Sequence, residues 1–515
     1  MSAPLTYLVE IAAHDGTGTT TLRYSSGLGV TTLPSETPAN AWYAPRLMQP
    51  IGFKRTMFSS ARVAGGATVG TGEIVLNNTD QGLAALRDYG IDGRSVVVRL
   101  GPRGAAYPAG YTTILSGTAE QVEVGAERAS IRLRDKLQLL ALPVQATLYA
   151  GTNSLPSGAE GTADDIKGQR KPLLFGRRFQ IEPVLVNTAR LIYQIHDGSI
   201  EAVDGVFDQG VAITAAGTNH ANLAALEVAT VAAGQFHTCR ALGLFRLGAA
   251  PAGKVTVDAR GDNTGGYVST AAEIVSRILT QRCGIASGDI DSASVTALAS
   301  AAAYDCGVYL TGDTTRQQAI DLVLSGVGGW LAPTRAGLWQ VGRLVAPSGA
   351  PDHAFTDVEI SALDAIATRD AEAGLPVWRV KLRGLPYAAI GPADLAGAVT
   401  QADKARLMQP WRETTASDSS VQTKHLLAPE MVRDTSIQNA ADLATEAARL
   451  LALHKVRRDF VEARVALTQA NAAVDLADVV RLTTARLGYS AGRDFIVVGI
   501  DADGKRNRLT LQLWG

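Results

Sequence analysis

Arg94-Ser95-Val96-Val97-Val98-Arg99-Leu100, Tyr111-Thr112-Thr113-Ile114-Leu115-Ser116-Gly117, Ala119-Glu120-Gln121-Val122-Glu123-Val124 and Ala129-Ser130-Ile131-Arg132-Leu133-Arg134-Asp135-Lys136 are the stretch that decides the fold. The first run is apolar and β-branched, and Gly101-Pro102-Arg103-Gly104 breaks it. The next two continue as extended chain, and Gly125-Ala126-Glu127-Arg128 turns into the last. There Ile131 and Leu133 fall on one face and Arg132 and Arg134 on the other, the period of a half-buried strand. Leu137, Leu139, Leu140 and Leu142 follow as a short apolar cap. The reading is a meander with one covered and one wet face, and no catalytic residue lies on it.

Outward from it, Leu5 to Ala12 and Thr20 to Tyr24 read as a hairpin turning at Asp15-Gly16. A loop through Pro34, Pro38, Pro45 and Pro50 follows, with Trp42, Tyr43 and Phe53 along it. Gly72 to Asn77 reads as a strand, and Thr79 or Asp80 as the cap of a short helix through Leu83, Leu86 and Tyr89. From Tyr149 a loop through Gly151 to Gly158 and one helical turn at Asp164-Asp165-Ile166 lead to Lys171-Pro172-Leu173-Leu174-Phe175-Gly176. Short strands are expected at Leu191 to Ile195, Ala202 to Phe207, Val211 to Thr214 and Lys254 to Ala259.

Ser269 to Cys283 has helical spacing, with Ser269 or Thr270 as cap and Gly284 as stop. A strand at Gly307 to Leu310, a helix after Thr314-Thr315, and a hairpin of Trp330 to Pro333 with Leu338 to Leu344 follow. Val377 to Leu382 reads as a strand, and Ile390 to Asp418 as an outward loop with Trp411 and Met408 as contacts for another chain. Asn439 to His454 is the clearest helix, with cations after its end. Phe460 to Leu467, Val479 to Thr483, Phe495 to Ile500 and Arg508 to Leu513 read as four strands.

The chain is 515 residues long, too long for one core. Its 52 glycines and 6% aromatic content suit a turn-rich β protein. A formal net charge of -1 gives no bulk drive toward DNA or anionic lipid. Cys239, Cys283 and Cys306 form no CxxC, which excludes a zinc ribbon, and read as buried thiols. Met1 to Leu5 does not open a signal peptide, and no uncharged apolar run reaches the length of a membrane span.

Chemistry-bearing patterns are sparse. HExxH and GxSxG do not occur. Gly499-Ile500-Asp501-Ala502-Asp503-Gly504-Lys505-Arg506 lacks the Ser or Thr of a phosphate loop, and no glutamate completes a calcium loop, so it reads as a hairpin turn. His237 two residues from Cys239 has no third ligand nearby along the chain. Lys171 reads as a strand-edge lysine, and Asp164-Asp165 and Asp289/Asp291 as solvated carboxylates.

The Leu115-Ser116-Gly117, Val122, turn, Ile131-Arg132-Leu133-Arg134-Asp135-Lys136 and leucine order resembles the first barrel of bacteriophage tail hub proteins. The glycine-threonine loop before Lys171-Pro172-Leu173-Leu174-Phe175-Gly176 resembles a subgroup of siphophage tail proteins. Gly284-Ile285, Gly312-Asp313-Thr314 and Trp330 resemble the inserted α/β domain of contractile-phage hubs. Asp475 to Leu482, Gly488-Tyr489, Phe495 to Ile500 and Leu509 to Gly515 resemble the closing barrel of tail-tip hubs and gene-transfer-agent tail proteins, where glycine usually stands at Ala477. Val97-Val98-Arg99-Leu100 and Val479-Val480-Arg481-Leu482 are a short similarity between the two β regions, although no tandem repeat at a fixed short period is visible.

The resemblance implies a mainly β, multidomain fold: a tube-like β-barrel at 1–148, a β-rich domain at 149–265, a small α/β domain at 266–347, and a second tube-like barrel at 348–515 with an amphipathic helix at 437–456. It implies a structural hub of a phage tail tip or baseplate in the virion, made in the host cytoplasm. That hub is a homotrimer joining the sixfold tube to the threefold tip and lining the DNA exit channel. Expected neighbours are the distal tail protein or tube, the tape-measure protein and fibre or tip proteins. DNA passes without specific binding, and no membrane insertion, catalytic residue, cofactor or metal is expected. The alternatives are a tail-associated cell-wall hydrolase and a receptor-binding tip protein.

Overall fold

The computed structural model describes residues 5–50, 52–59, 66–134, 136–368 and 372–515. Asp135 and the segment Met1 to Pro4, both used in the reading above, lie outside the described residues. The fold is mainly β and multi-sheet, with a smaller α/β part, as expected.

The opening meander forms as its alternation predicts. Ser95–Pro102, Thr112–Val124 and Arg128–Leu133 pair antiparallel in that order. Ile131 and Leu133 are buried and Arg132 and Arg134 exposed. Ser95–Pro102 then takes Leu5–His14 on its outer side, and Leu5–His14 takes Thr19–Ser25. Asp15 Oδ1 closes that hairpin by accepting from Thr17 N at 2.8 Å and Gly18 N at 2.9 Å. On the far side Glu73–Asn77 pairs with Arg128–Leu133, and Leu47–Gln49 with Glu73–Asn77.

The last region builds a sheet in the order His353–Thr356, Val479–Thr484, Tyr489–Asp503, Arg508–Trp514, Phe460–Ala466, Ile360–Ala365. Leu509, Leu511 and Leu513 alternate inward and are fully buried. Each such leucine removed from water contributes about 2 kcal/mol.

The two sheets repeat one topology. Leave out Thr19–Ser25 from the first sheet, and Gly52–Thr56 with Thr68–Thr71 from the second, and number the six remaining strands of each along the chain. Both then run first, fourth, fifth, sixth, third, second. The one difference is that the first and fourth strands pair antiparallel at the start of the chain and parallel at its end.

Register agrees as well. The fifth and sixth strands carry a bulge at the same place, between Ala119 and Gln121 in one sheet and between Val497 and Gly499 in the other. Gly93 N donates to Ala119 O and Ala119 N to Arg94 O, while Ala477 N donates to Val497 O and Val497 N to Asp478 O. Ser95 therefore matches Val479, because each pairs one step before its bulge, with Thr118 and Ile496. The Val-Val-Arg-Leu string seen in the sequence is thus two residues out of register, one strand period, which leaves every side chain on its proper face.

Neither sheet closes on itself among the described residues; both contribute to one apolar core that includes Leu76, Val98, Ile131, Phe495, Leu511 and Trp514. Tyr43 and Phe53, read as loop decoration, are buried, and Gly52–Thr56 is a strand. The expected cap at Thr79 or Asp80 does not form. Asp80 pairs with Arg46 at 2.7 Å, Asn78 Oδ1 takes Leu83 N at 2.9 Å, and only a 3-10 turn follows at Ala84–Arg87.

Between the repeats lies a nine-stranded sheet whose edge strand Gly307–Leu310 pairs with Leu173–Ile181. Gln235–Cys239 and Leu244–Leu247 belong to it and were not read from the sequence, because neither alternates cleanly. Four helices contribute to a second apolar core among the described residues: Ala271–Gln281, Ser292–Ala301, Arg316–Leu324 and Ala440–His454, the last where the sequence places its clearest helix. Thr270 with Glu273 and Thr315 with Gln318 form capping boxes, each contributing about 1 kcal/mol.

Ser292–Ala301 was missed, and its cap is Asp291, which accepts from Ala293 N and Ser294 N and is not merely solvated. Ile390 to Asp418 does not loop outward. It holds the helix Gln401–Leu407 and the strand Glu413–Ser417, with Ile390 and Leu407 buried and a turn of the central sheet at Gly210 beside Leu395, Val399 and Leu407.

Candidate functional site

The hairpin Gly52–Thr56 with Thr68–Thr71 leaves the first repeat and adds to the second. Gly52 to Thr56 pair antiparallel with Asp503 to Gly499, which places Lys54 opposite Asp501. The pairing continues where Met57 N donates to Val498 O at 2.9 Å. Two ends of the chain are thereby joined by main-chain hydrogen bonds.

A group of charged side chains lies behind this joint. Arg55 is 1% exposed, ion-pairs with Asp475 and donates to the carbonyl of Pro333. Arg335, at the tip of the hairpin Gly329–Pro333 with Trp339–Arg343, donates to Ala472 O at 2.7 Å and to Val474 O. Both guanidinium groups lie against the Phe53 ring, at 5.0 and 5.5 Å from its centroid. Asp475 N donates to Asp478 Oδ2 at 2.7 Å, and His353 Nε2 lies 3.5 Å from the same carboxylate. Four stretches of the chain, around Arg55, Arg335, His353 and Asp475, meet here.

Burial sets the electrostatics. It pulls Arg55 down to about 9, with Arg335 adding to the fall and Asp478 opposing it. It pulls Arg335 down to about 10. Burial also pushes the Asp478 carboxyl up to about 6, against the pull of His353 and Arg335. Such a group resists separation, since parting Arg55 from Asp475 leaves an unpaired charge in the interior. The cavity between Phe53, Leu133, Pro333 and Gly337 measures about 30 Å³, while a shallow depression along the paired strands, lined by Lys54, Asp501 and Arg508, measures about 550 Å³. What this arrangement does is hold parts of the chain together.

The residues weighed from sequence lie elsewhere. Lys171 pairs with Glu160 at 2.6 Å and sits over the Tyr149 ring, fastening the loop to the strand. His237 Nδ1 meets His220 Nε2 at 3.0 Å, while Cys239 is buried. Among the described residues no three His, Cys, Asp or Glu groups are placed to hold a metal ion. Burial pushes the Cys283 thiol up to about 11 and that of Cys306 up to about 12. Asp165 Oδ1 accepts from Thr162 N at 2.6 Å and Ile166 N at 2.5 Å. Gly499 to Arg506 spans a strand end and a hairpin turn.

Met408 and Trp411 are partly exposed, with Arg383 over the Trp411 ring. A buried candidate for acid–base work, His196 beside Asp262 at 3.6 Å, accepts Leu174 N on Nδ1 at 2.9 Å, and Arg277 holds Asp262 at 2.6 Å. It ties two strands to a helix.

Arg55, Arg335, Asp475 and Asp478 were not singled out from sequence, where each is one more charge near a proline or a turn. The single local signal was the expected glycine at Ala477, inside the turn that presents both aspartates.

Fold and joint together define a mainly β, multi-sheet protein in which one sheet topology occurs twice and the first copy completes the second. No protein-family model and no curated protein matches the chain. Several solved structures match over two thirds or more of its length. One is the tail protein from Neisseria meningitidis MC58, 11% identical, covering 99% of this chain and 96% of that one with a TM-score of 0.37. Another is the 43 kDa tail protein of prophage MuSo2 from Shewanella oneidensis, 9% identical over 98% of both chains with a TM-score of 0.38. A third is a chain of a native gene transfer agent virion, 16% identical over 68% of this chain and 84% of that one with a TM-score of 0.43.

Proposed function

We propose that the protein is a structural hub of a bacteriophage tail tip or baseplate, and that three copies form a ring around the tail axis. The observation that supports the reading is the repeated sheet, same order and same bulge, at the two ends of the chain. Two equivalent units per chain and three chains give six equivalent units, which matches a sixfold tube above to a threefold tip below. Contacts within such a ring are head-to-tail, and the joint between the two repeats is of that kind, one unit giving a hairpin and the other receiving it. The sequence resemblance to tail hubs adds the neighbours: distal tail protein or tube, tape-measure protein, fibre or tip proteins, and DNA passing through the lumen.

On this reading the parts are the units 1–148 and 348–515 in the ring, with 149–265 and 266–347 carried on it. The protein works in the virion, is made in the host cytoplasm, and has no catalytic role. The test is the mass of the purified chain by light scattering, followed by electron microscopy of particles labelled on this protein. Three chains per ring at the tail tip is the expected result. A chain that stays single at every concentration, or that degrades peptidoglycan, overturns it.

A further inference from the structure

The joint inside the chain uses one edge of the fifth strand of the second repeat, and no described strand occupies the same edge in the first repeat. Tyr489–Asp503 pairs with Val479–Thr484 along its first half. Along its second half, on that same side, it receives Gly52–Thr56. Thr112–Val124 likewise pairs with Ser95–Pro102 only as far as Thr118. Beyond the bulge, no strand among the described residues pairs with Glu120 to Val124 on that side.

Matching by the bulge sets Gln121 with Gly499, Val122 with Ile500, Glu123 with Asp501 and Val124 with Ala502. Gly125 N donates to Arg128 O at 2.8 Å, so antiparallel alternation turns the backbone groups of Val124 and Val122 away from Arg128–Leu133 and toward that edge. The Val124 carbonyl takes Arg87 Nη2 at 2.9 Å. Glu120, Gln121 and Glu123 are exposed.

We infer that the Glu120–Val124 edge receives an extended segment from a second copy of this chain, antiparallel, as Gly499–Asp503 receives Gly52–Thr56. The inference rests on the proposed ring. Two equivalent units in a closed head-to-tail ring make the same contact twice, once within the chain and once between chains. Glu123 stands where Asp501 stands, and Asp501 lies opposite Lys54, so the incoming segment is expected to place a cation opposite Glu123. Strand addition of this kind draws its affinity from main-chain hydrogen bonds.

The test uses the full chain. Val122→Pro removes an outward N–H while sparing the ladder to Arg128–Leu133. It is expected to weaken association by about tenfold or more, the effect of losing one or two hydrogen bonds, with the thermal midpoint little changed. Independently of any variant, hydrogen exchange at the Val122 and Val124 amides of the wild-type chain is expected to slow when dilute chain is concentrated into assembly. Assembly with those amides exchanging as fast as in dilute chain overturns the strand addition and leaves the ring standing. The edge is then one kept single by its glutamates. A wild-type chain that never associates overturns both.

Discussion

Gly93 and Ala477 hold the same place in the two repeats. Their φ values are +70° and +75°, and each donates its N–H to the strand opposite, to Ala119 O and Val497 O. The left-handed conformation suits glycine and penalises alanine by about 1–2 kcal/mol. Ala477→Gly relieves that penalty at a smaller cost in unfolded-chain entropy. It is expected to raise stability by about 0.5–1 kcal/mol, read as a higher denaturant midpoint with unchanged slope. Gly93→Ala, with open space around its Cβ, is expected to lose about 1 kcal/mol by conformation alone.

Arg55→Ala removes the cation that joins the Gly52–Thr56 strand to Asp475 and to the Pro333 carbonyl. A loss of about 3 kcal/mol is expected in denaturant unfolding. Amides of residues 499–503 are expected to exchange faster, since the strand they receive is no longer held from behind. Unchanged exchange there counts against the clamp.

Asp321 provides a pH test within the α/β part. Burial raises its carboxyl to about 6, with a Gln317 hydrogen bond at 2.8 Å working the other way. A carboxyl raised in the folded state binds its proton more tightly there than in the unfolded chain. The stabilisation it contributes is present below pH ~4 and is lost as pH rises through about 6. Asp321→Asn keeps an acceptor for Gln317 and does not ionise. Its stability relative to the wild type is expected to rise across that window, measured by denaturant midpoints at pH 4, 5, 6 and 7.

Gly326→Ala tests the seam between the α/β part and the strand Glu430–Thr435. A Cβ at Gly326 would overlap the side chain and Cα of Thr435, so backbone must shift. A loss of about 3 kcal/mol is expected, at the upper end of ordinary overpacking. Gly312→Ala, with nothing near its Cβ, is the matched control.

What could be read in advance was local. Leu509, Leu511 and Leu513 alternate, Thr270 and Glu273 stand three apart before an apolar run, and Asp15-Gly16 sits between two extended stretches. Each pattern acts through neighbours a few residues away, so each was visible without the fold. The resemblance implied a second like unit, but direct residue matching between the two offered only the string Val-Val-Arg-Leu, which chance placed one strand period from the true match.

By itself the sequence determined that the protein is built of half-buried strands, where the capped helices begin, and which face of each strand is apolar. The tertiary structure alone decided that Tyr43 and Phe53 are core, that Arg55 meets Asp475, and how the two end sheets correspond strand by strand. A strand's alternation says which side turns inward, but its partner is chosen by main-chain groups that every residue carries alike. A charge such as Arg55 becomes costly or useful only once distant segments close over it and remove the water.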